Sequence, residues 1–239
     1  MKFFICTVFA VLMAVAMAHP PSSEHEHEHE HHHDEKHDDG KPITEPSTEA
    51  RAASTDDSSA LPVTVYYEGL CPDSRKLWTD LGRDYYLFKK YINLEFIPFG
   101  RAKSLDAEGN EFECHHGPKE CLANRIHSCG VKYLKSQDAR QQFVVCQMRT
   151  EADQTGKECL EEAGGDWTEV SKCVDGDESK KLQLQAERDT KKISVPRLES
   201  VPTIVFNNEL NQELNNKAFK NLKAVFCELL STKNIPECA

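Results

Sequence analysis

Residues 114–129 read Cys-His-His-Gly-Pro-Lys-Glu-Cys-Leu-Ala-Asn-Arg-Ile-His-Ser-Cys, and this stretch, called the cysteine segment below, decides the fold. Its three cysteines, together with His115, His116 and His127, are residue types that can bind zinc. The spacing Cys-x6-Cys-x7-Cys fits no standard zinc pattern, because zinc sites usually use cysteines separated by roughly two to four residues. Disulfide bonds are therefore favoured over a zinc site, and Gly117 is expected to serve a tight turn.

The cysteine segment closely resembles the pattern C-Q-H-G-x-x-E-C-x-x-N-x-x-x-x-C of the gamma-interferon-inducible lysosomal thiol reductases, the GILT family. The matching residues are Cys114, His116, Gly117, Glu120, Cys121, Asn124 and Cys129. The chain departs from the pattern at His115, where the family has Gln. We interpret Glu120 and Asn124, one helical turn apart, as residues that cap and brace a loop rather than react. The resemblance implies disulfide chemistry on protein substrates and a thioredoxin-like fold with a helical insertion.

A candidate nucleophile, Cys71, lies upstream between a predicted strand and a predicted helix. Pro72 suits the first helical turn, so the thiol would face the helix's unpaired N–H groups and the positive end of its dipole, which favour the thiolate. The resemblance places a C-x-x-C redox pair here, but the chain reads Cys71-Pro72-Asp73-Ser74. Ser74 cannot resolve a mixed disulfide, because a hydroxyl is not a thiolate at neutral pH. It could still hydrogen-bond to the Cys71 sulfur.

Three outcomes stay open for such a site: a monothiol reductase that uses an external thiol such as glutathione, an isomerase, or a protein that traps partners with little turnover. None of them requires a bound cofactor. The resemblance also identifies Pro202 as the cis-proline of thioredoxin-fold proteins, which faces the redox cysteine. The expected substrate-binding residues are Pro72, Val201 and Pro202. The alternative to an enzyme is a binding protein on a thioredoxin scaffold.

The cysteine count supports one reactive thiol. Cys6 leaves with the predicted signal peptide, and an odd number of cysteines then remains, so one is unpaired or bonded to another molecule. We assign that thiol to Cys71, with a structural disulfide at Cys71 as the alternative. The expected structural cysteines are Cys114, Cys121, Cys129, Cys146, Cys159, Cys173, Cys227 and Cys238. Only the pair Cys227–Cys238, which flanks a short C-terminal segment, is favoured from sequence.

Three regions of different composition divide the chain. Residues 1–18 have a positive start, an apolar run and a small-residue cleavage site, which is typical of a secretory signal peptide. Residues 19–60 are rich in His, Glu, Asp, Ser, Thr and Pro and are predicted to be disordered. Residues 61–239 have the composition of one globular domain, which is predicted to be an α/β thioredoxin-like fold stapled by disulfides.

The His-rich part of the second region is a candidate metal-binding tail. Its imidazoles could bind Zn²⁺, Cu²⁺ or Ni²⁺ weakly, and the alternative is a solvated, pH-sensitive tail. The candidate ligands are His25, His27, His29, His31, His32 and His33. Much of the net charge of −11 comes from residues 24–39, which carry eight carboxylates and one lysine.

The expected location is the secretory pathway, with the mature protein extracellular or lysosomal. The chain contains no Asn-x-Ser/Thr sequence, so asparagine glycosylation and sorting through it are not expected. Disulfide-containing proteins are the expected partners, and neither nucleic acid nor, after signal cleavage, a membrane is expected. By resemblance, the family's role is the reduction of endocytosed proteins at acidic pH, with links to host defence.

Hydrophobic patterns predict the elements of the domain. The predicted strands are 62–67, 91–99 and 201–206, with a hairpin partner for the last around 209–212. The predicted helices are 75–90, 133–148, 158–163, 167–173, 178–188 and 217–230. The first strand, helix and strand imply a parallel crossover unit.

Overall fold

The computed structural model describes residues 60–149, 154–193 and 198–238. The predicted signal peptide and the predicted metal ligands of the His-rich tail lie outside the described residues. Among the residues that are described, no helix combines the length and the apolar character that a membrane span requires.

A three-stranded sheet with strand order β2–β1–β5 forms the centre of the domain. The elements are β1 (Leu61–Tyr67), α1 (Pro72–Phe88), β2 (Ile92–Pro98), β3 (Lys103–Ser104), β4 (Phe112–Glu113), α2 (Pro118–Tyr133), α3 (Gln137–Gln147), α4 (Lys157–Glu162), α5 (Trp167–Asp175), α6 (Asp177–Ile193), β5 (Thr203–Phe206), α7 (Gln212–Lys220) and α8 (Leu222–Leu229). Two 3-10 helices follow, Ser231–Lys233 and Pro236–Cys238. β3 and β4 form a separate antiparallel pair that is not among the predicted strands.

β1 is the central strand, and its β-branched and aromatic side chains fit a position between two neighbours. It pairs in parallel with β2, with Leu61 opposite Ile92, and antiparallel with β5, with Val65 opposite Ile204. Helix α1 joins β1 to β2 and buries one face against the core. The large side chains of that face are Leu77, Trp78, Leu81, Tyr85 and Phe88. This strand–helix–strand unit has the parallel pairing that the sequence predicts.

Helices α2 to α6 form the insertion between β4 and β5, and two disulfides link four of them in pairs. Cys129–Cys173 links α2 to α5, and Cys146–Cys159 links α3 to α4. Cys114–Cys121 closes the start of α2. Cys227–Cys238, the pair favoured from sequence, joins α8 to the last 3-10 helix. The eight cysteines expected to be structural are all paired.

The structure corrects two predictions for the C-terminal part. The expected hairpin strand at 209–212 is absent from the described residues, and only an isolated bridge joins Phe206 to Glu209. Asn207 and Asn208 have positive φ angles, and Asn211 then caps α7, so the chain turns into a helix. The single predicted helix 217–230 is two helices, because Asn221 ends α7 and caps α8.

The cysteine segment and the residues after it also differ from the prediction. Residues 118–133 form helix α2, where no element is predicted. The helix predicted at 133–148 is α3, which begins at Gln137 because Ser136 caps it. Helices α4, α5 and α6 lie close to their predicted positions, although α6 extends to Ile193.

The arrangement of these elements is a thioredoxin-like α/β fold. A parallel β1–α1–β2 unit is followed by a helical insertion, an antiparallel strand β5 and two closing helices. The Val201–Pro202 peptide bond before β5 is cis, as the resemblance implies. The predicted fold class, a disulfide-stapled thioredoxin-like fold with a helical insertion, is confirmed.

Candidate active site

Cys71 lies at the N-cap of α1, in the short connection that follows β1. Its backbone nitrogen donates to the Glu68 carbonyl oxygen at 3.3 Å, and its carbonyl accepts from the backbone nitrogen of Arg75 at 3.1 Å. Pro72 occupies the first helical position, where a missing N–H has no cost. Among the described cysteines, Cys71 is the one outside a disulfide, and it is 6% exposed.

Val201 lies directly beside this thiol. The Cys71 sulfur donates to the Val201 carbonyl oxygen at 3.7 Å, although 130 residues separate the two in sequence. Val201 and Pro202 are both buried, and Cys71 and Val201 belong to one small apolar cluster. The buried members of that cluster are Tyr66, Cys71, Ile97, Phe99, Ala102, Cys114, Ala186, Leu198, Val201 and Val205. The fold therefore brings Cys71 and the cis-proline segment together.

Ser74 is not bonded to Cys71. Its side chain is fully buried, and its hydroxyl oxygen has no hydrogen-bond partner in the described part of the chain. The hydrogen bond to the Cys71 sulfur that the sequence allows is thus not formed. The reason is that Ser74 lies within the first turn of α1, on the face that packs into the protein.

The cysteine segment provides the helix that holds the Cys71 connection in place. Gly117 precedes α2 with a φ angle of 84°, which is favourable for glycine alone. Glu120 and Asn124 follow on α2 and are both 0% exposed, and they brace loop backbone as expected. They face the β1–α1 connection from a helix. The Asn124 side-chain oxygen accepts the Gly69 N–H at 2.8 Å.

Four side chains form a second group beside this connection, called the Glu68 cluster: Glu68, His115, His116 and Glu120. Nδ1 of His116 lies 2.5 Å from Oε2 of Glu120 and 3.4 Å from Oε2 of Glu68. Nδ1 of His115 lies 3.6 Å from the same Glu68 oxygen. The two carboxylates are fully buried, whereas the histidine side chains are 47% and 31% exposed.

Burial is the largest influence on the Glu68 carboxyl and raises its pKa, and the nearby Glu120 raises it further. The backbone N–H of Arg101 and the two histidines act in the opposite direction. No sequence motif identifies Glu68 as a site residue. The sequence feature that points to Glu68 is its position directly after an apolar strand and before Cys71. A carboxylate buried there is costly unless it has partners.

The zinc site considered for the cysteine segment is not formed. Cys114 is bonded to Cys121, and Cys129 is bonded to Cys173 on another helix. His127 is buried, and its Nδ1 lies 3.0 Å from the hydroxyl of Tyr67.

Comparisons with known proteins match most of the domain. The family model described as "Gamma interferon inducible lysosomal thiol reductase (GILT)" matches residues 62–163. A relative from Drosophila melanogaster, "GILT-like protein 1", is 30% identical over 200 residues, which is 75% of this chain and 78% of that protein. A "Gamma-interferon-inducible lysosomal thiol reductase" from Carassius auratus is 34% identical over 188 residues, covering 76% of this chain and 73% of that protein.

Solved structures show only a weak likeness. The reduced form of the disulfide bond oxidoreductase DsbG from Mycobacterium tuberculosis has a TM-score of 0.46 and 15% identity, covering 74% of this chain and 85% of that chain. The fold assignment rests on the strand order and register described above.

Proposed function

Because the chain belongs to the gamma interferon inducible lysosomal thiol reductase (GILT) family, we propose that it reduces protein disulfides through one nucleophilic cysteine, Cys71. The observation that carries this proposal is the position of the unpaired Cys71 thiol at the N-cap of α1. A thiolate at a helix N-terminus is stabilised by the helix dipole and by backbone N–H groups without intrahelical partners. Pro72 has no N–H, so the N–H groups of the first turn without intrahelical partners are those of Asp73 and Ser74.

The substrate is proposed to bind along the Val201–Pro202 segment, with Pro72 on the other side of the thiol. An extended peptide can pair with the backbone at the start of a strand, which would place its disulfide near the Cys71 sulfur. The 3.7 Å contact between Cys71 and the Val201 carbonyl oxygen supports this placement.

The proposed reaction has three exchange steps. The Cys71 thiolate attacks one sulfur of the substrate disulfide, which forms a mixed disulfide and releases the other sulfur as a thiolate that takes up a proton. A low-molecular-weight thiolate of the glutathione class then attacks the Cys71 sulfur and releases the second substrate thiol. A further thiolate of the same class removes the adduct and restores Cys71. In total, one substrate disulfide is reduced and two external thiols become one disulfide.

The external thiol is needed because Ser74 stands where a dithiol enzyme has its resolving cysteine. A hydroxyl cannot attack a mixed disulfide at neutral or acidic pH. The proposal therefore names disulfide-containing proteins as substrates, glutathione-type thiols as co-reductants and no bound cofactor. The proposed location is the lysosome, as the family name indicates, or the extracellular space.

The decisive experiment measures glutathione-dependent reduction of a disulfide-bonded protein such as insulin by the full mature chain. Cys71→Ser is expected to abolish the activity, because no other described thiol is free. The control is the double variant Cys227→Ala/Cys238→Ala, which removes two cysteines at the C-terminal end and should keep the activity. The proposal fails if Cys71→Ser is as active as the wild type.

A second candidate function is a binding protein on the same scaffold, which the 6% exposure of Cys71 favours. Alkylation distinguishes the two functions. An activated Cys71 should react faster with iodoacetamide at acidic pH in the folded protein than in the unfolded chain, with mass spectrometry locating the label. A Cys71 that reacts only after unfolding would support the binding protein.

A further inference from the structure

The Glu68 cluster contains three possible metal-ligand atoms in close proximity. Glu68, His115 and His116 each offer one ligand atom, a carboxylate oxygen or a ring nitrogen, and these three atoms lie within 4.8 Å of one another. The Glu68 oxygen is 3.6 Å from the His115 nitrogen and 3.4 Å from the His116 nitrogen. In a tetrahedral site with metal–ligand bonds of about 2.0–2.1 Å, neighbouring ligand atoms are about 3.3 Å apart. The two separations are close to that value.

An independent observation concerns the Glu68 side chain, which is 0% exposed. Its Oε1 accepts the backbone N–H of Arg101 at 2.8 Å, whereas its Oε2 accepts no hydrogen bond from any described residue. A buried carboxylate oxygen without a donor is costly. This oxygen faces the two imidazole rings, and a cation between the oxygen and the rings would contact all three groups.

We propose that Glu68, His115 and His116 bind a divalent transition metal, with Zn²⁺ as the reference ion. Two imidazole nitrogens and one carboxylate oxygen form a ligand set that suits zinc. Metal binding at Nδ1 of His116 displaces the proton between this nitrogen and Glu120. In a neutral ring that proton moves to Nε2, and a protonated ring loses one proton to solvent. Glu120 Oε2 then turns away from Nδ1 to leave room for the metal, while Glu120 Oε1 keeps the backbone N–H of His116, which it accepts at 3.0 Å.

The fourth coordination position faces solvent. A pocket of about 240 Å³ adjoins His115 and is also lined by Arg101, Lys103, Glu113 and Cys114. Water can fill that position, as in zinc sites with three protein ligands. The site lies on the connection that carries Cys71, because the Glu68 carbonyl accepts the Cys71 N–H. The proposed metal site does not depend on the proposed thiol chemistry.

The test must separate this site from other ligands in the chain. It uses the full mature chain with glutamine at every histidine of the N-terminal segment: His19, His25, His27, His29, His31, His32, His33 and His37. Zinc bound after equilibrium dialysis is measured by mass spectrometry, and Co²⁺ serves as a spectroscopic probe of the ligands. The parent protein is expected to bind one equivalent, and Cys71→Ser is expected to bind the same amount.

Two substitutions, each made in the parent protein without N-terminal histidines, should weaken zinc binding. His115→Gln and Glu68→Gln are expected to weaken zinc binding by at least about tenfold, because each removes a ligand atom. Glu113→Gln is the matched control, since Glu113 lines the same pocket but lies outside the ligand set. His115 is half exposed, so its variant should stay folded, and zinc should raise the melting temperature of the parent but not of this variant.

Three results would overturn the site. They are a parent protein that binds no equivalent of zinc, equal binding by His115→Gln and Glu113→Gln, and loss of the metal in Cys71→Ser. None of them bears on glutathione-dependent reduction, which is measured without added metal.

Discussion

The hydroxyl of Tyr67 lies 3.0 Å from Nδ1 of His127, and both side chains are buried where β1 meets α2. Burial, with a smaller contribution from the positive charge of Arg75, lowers the pKa of His127 to about 3. Burial also raises the pKa of Tyr67 well above its ordinary value, so its hydroxyl keeps its proton. A neutral imidazole can accept that proton in a hydrogen bond, whereas a protonated one cannot.

His127 should therefore make the fold less stable in acid. The unfolded histidine has a pKa of about 6.5, so between that value and about 3 the unfolded chain binds one more proton than the native protein. This contribution to stability is complete above about pH 6.5 and is lost as pH falls toward 3, by about 1.4 kcal/mol per pH unit. At about pH 5 the loss is about 2 kcal/mol.

Urea unfolding at a series of pH values measures this effect. His127→Gln keeps a neutral group that can hydrogen-bond to the Tyr67 hydroxyl. Below about pH 6.5 it should reduce the slope of the unfolding free energy against pH by about 1.4 kcal/mol per pH unit, which corresponds to one proton. Identical slopes for His127→Gln and the wild type would show that another group is responsible.

Introducing the missing thiol should convert the site into a dithiol site. In Ser74→Cys a second sulfur lies in the first turn of α1, and it can attack a mixed disulfide on Cys71 intramolecularly. Turnover is expected to rise by roughly tenfold or more, because an intramolecular thiol has a high effective concentration. Substrate conjugates of Cys71 should accumulate in the wild type and disappear in the variant.

Ser74→Ala is the control for this experiment, because it also removes the hydroxyl but adds no thiol. It should show no gain in turnover. Equal turnover by Ser74→Cys and Ser74→Ala, measured with insulin and glutathione, would mean that resolution of the mixed disulfide does not limit the reaction.

Local sequence patterns are sufficient to predict the elements that carry Cys71. The apolar run of β1, Pro72 at the first position of α1 and the alternation in β2 each encode their own element. The same reasoning fails at Asn221. The apolar residues before and after it follow one helical spacing, so the sequence of two helices resembles that of one continuous helix. The Asn221 side chain accepts the Ala224 N–H at 3.0 Å, which starts α8 anew.

The Glu68 cluster could not be predicted by local pattern. Glu68 follows β1, whereas His115 and Glu120 lie beyond α1, β2 and the β3–β4 pair, and only the packing of α2 against the β1–α1 connection brings them together. The cysteine segment indicates the fold through its resemblance, but its helical structure depends on Gly117 and Pro118 starting α2.

The disulfides should differ in their contribution to stability. The chain-entropy model gives about 4 kcal/mol for a bond with the sequence separation of 44 between Cys129 and Cys173, and about 3 kcal/mol for the separation of 11 between Cys227 and Cys238. Cys129 and Cys173 are also fully buried, so their loss adds a cavity term.

Cys129→Ala/Cys173→Ala should therefore lower the free energy of unfolding by at least about 1 kcal/mol more than Cys227→Ala/Cys238→Ala. Urea unfolding without reductant measures the difference. The opposite order would show that the C-terminal bond restrains more of the native structure than its short loop suggests.

Gly69 packs closely against α2, and this contact is expected to hold Cys71 in its position at the start of α1. A Cβ atom at Gly69 would lie 2.8 Å from the Cβ of Ala123 and 3.3 Å from the Asn124 oxygen that accepts the Gly69 N–H. Gly69→Ala is expected to cost about 1–3 kcal/mol of stability, as overpacking does. The added methyl group should push the β1–α1 connection away from α2. Because that connection carries Cys71, reductase activity should also fall.

A double-mutant cycle tests whether that contact is the cause. Ala123→Gly alone should cost up to about 1 kcal/mol, because glycine is unfavourable within a helix. In the Gly69→Ala background the same change removes the crowded Cβ, so it should restore stability and activity in part, with a coupling energy of about 0.5 kcal/mol or more. Additive effects in urea unfolding would mean that Gly69→Ala acts through the backbone of the connection, not through contact with Ala123.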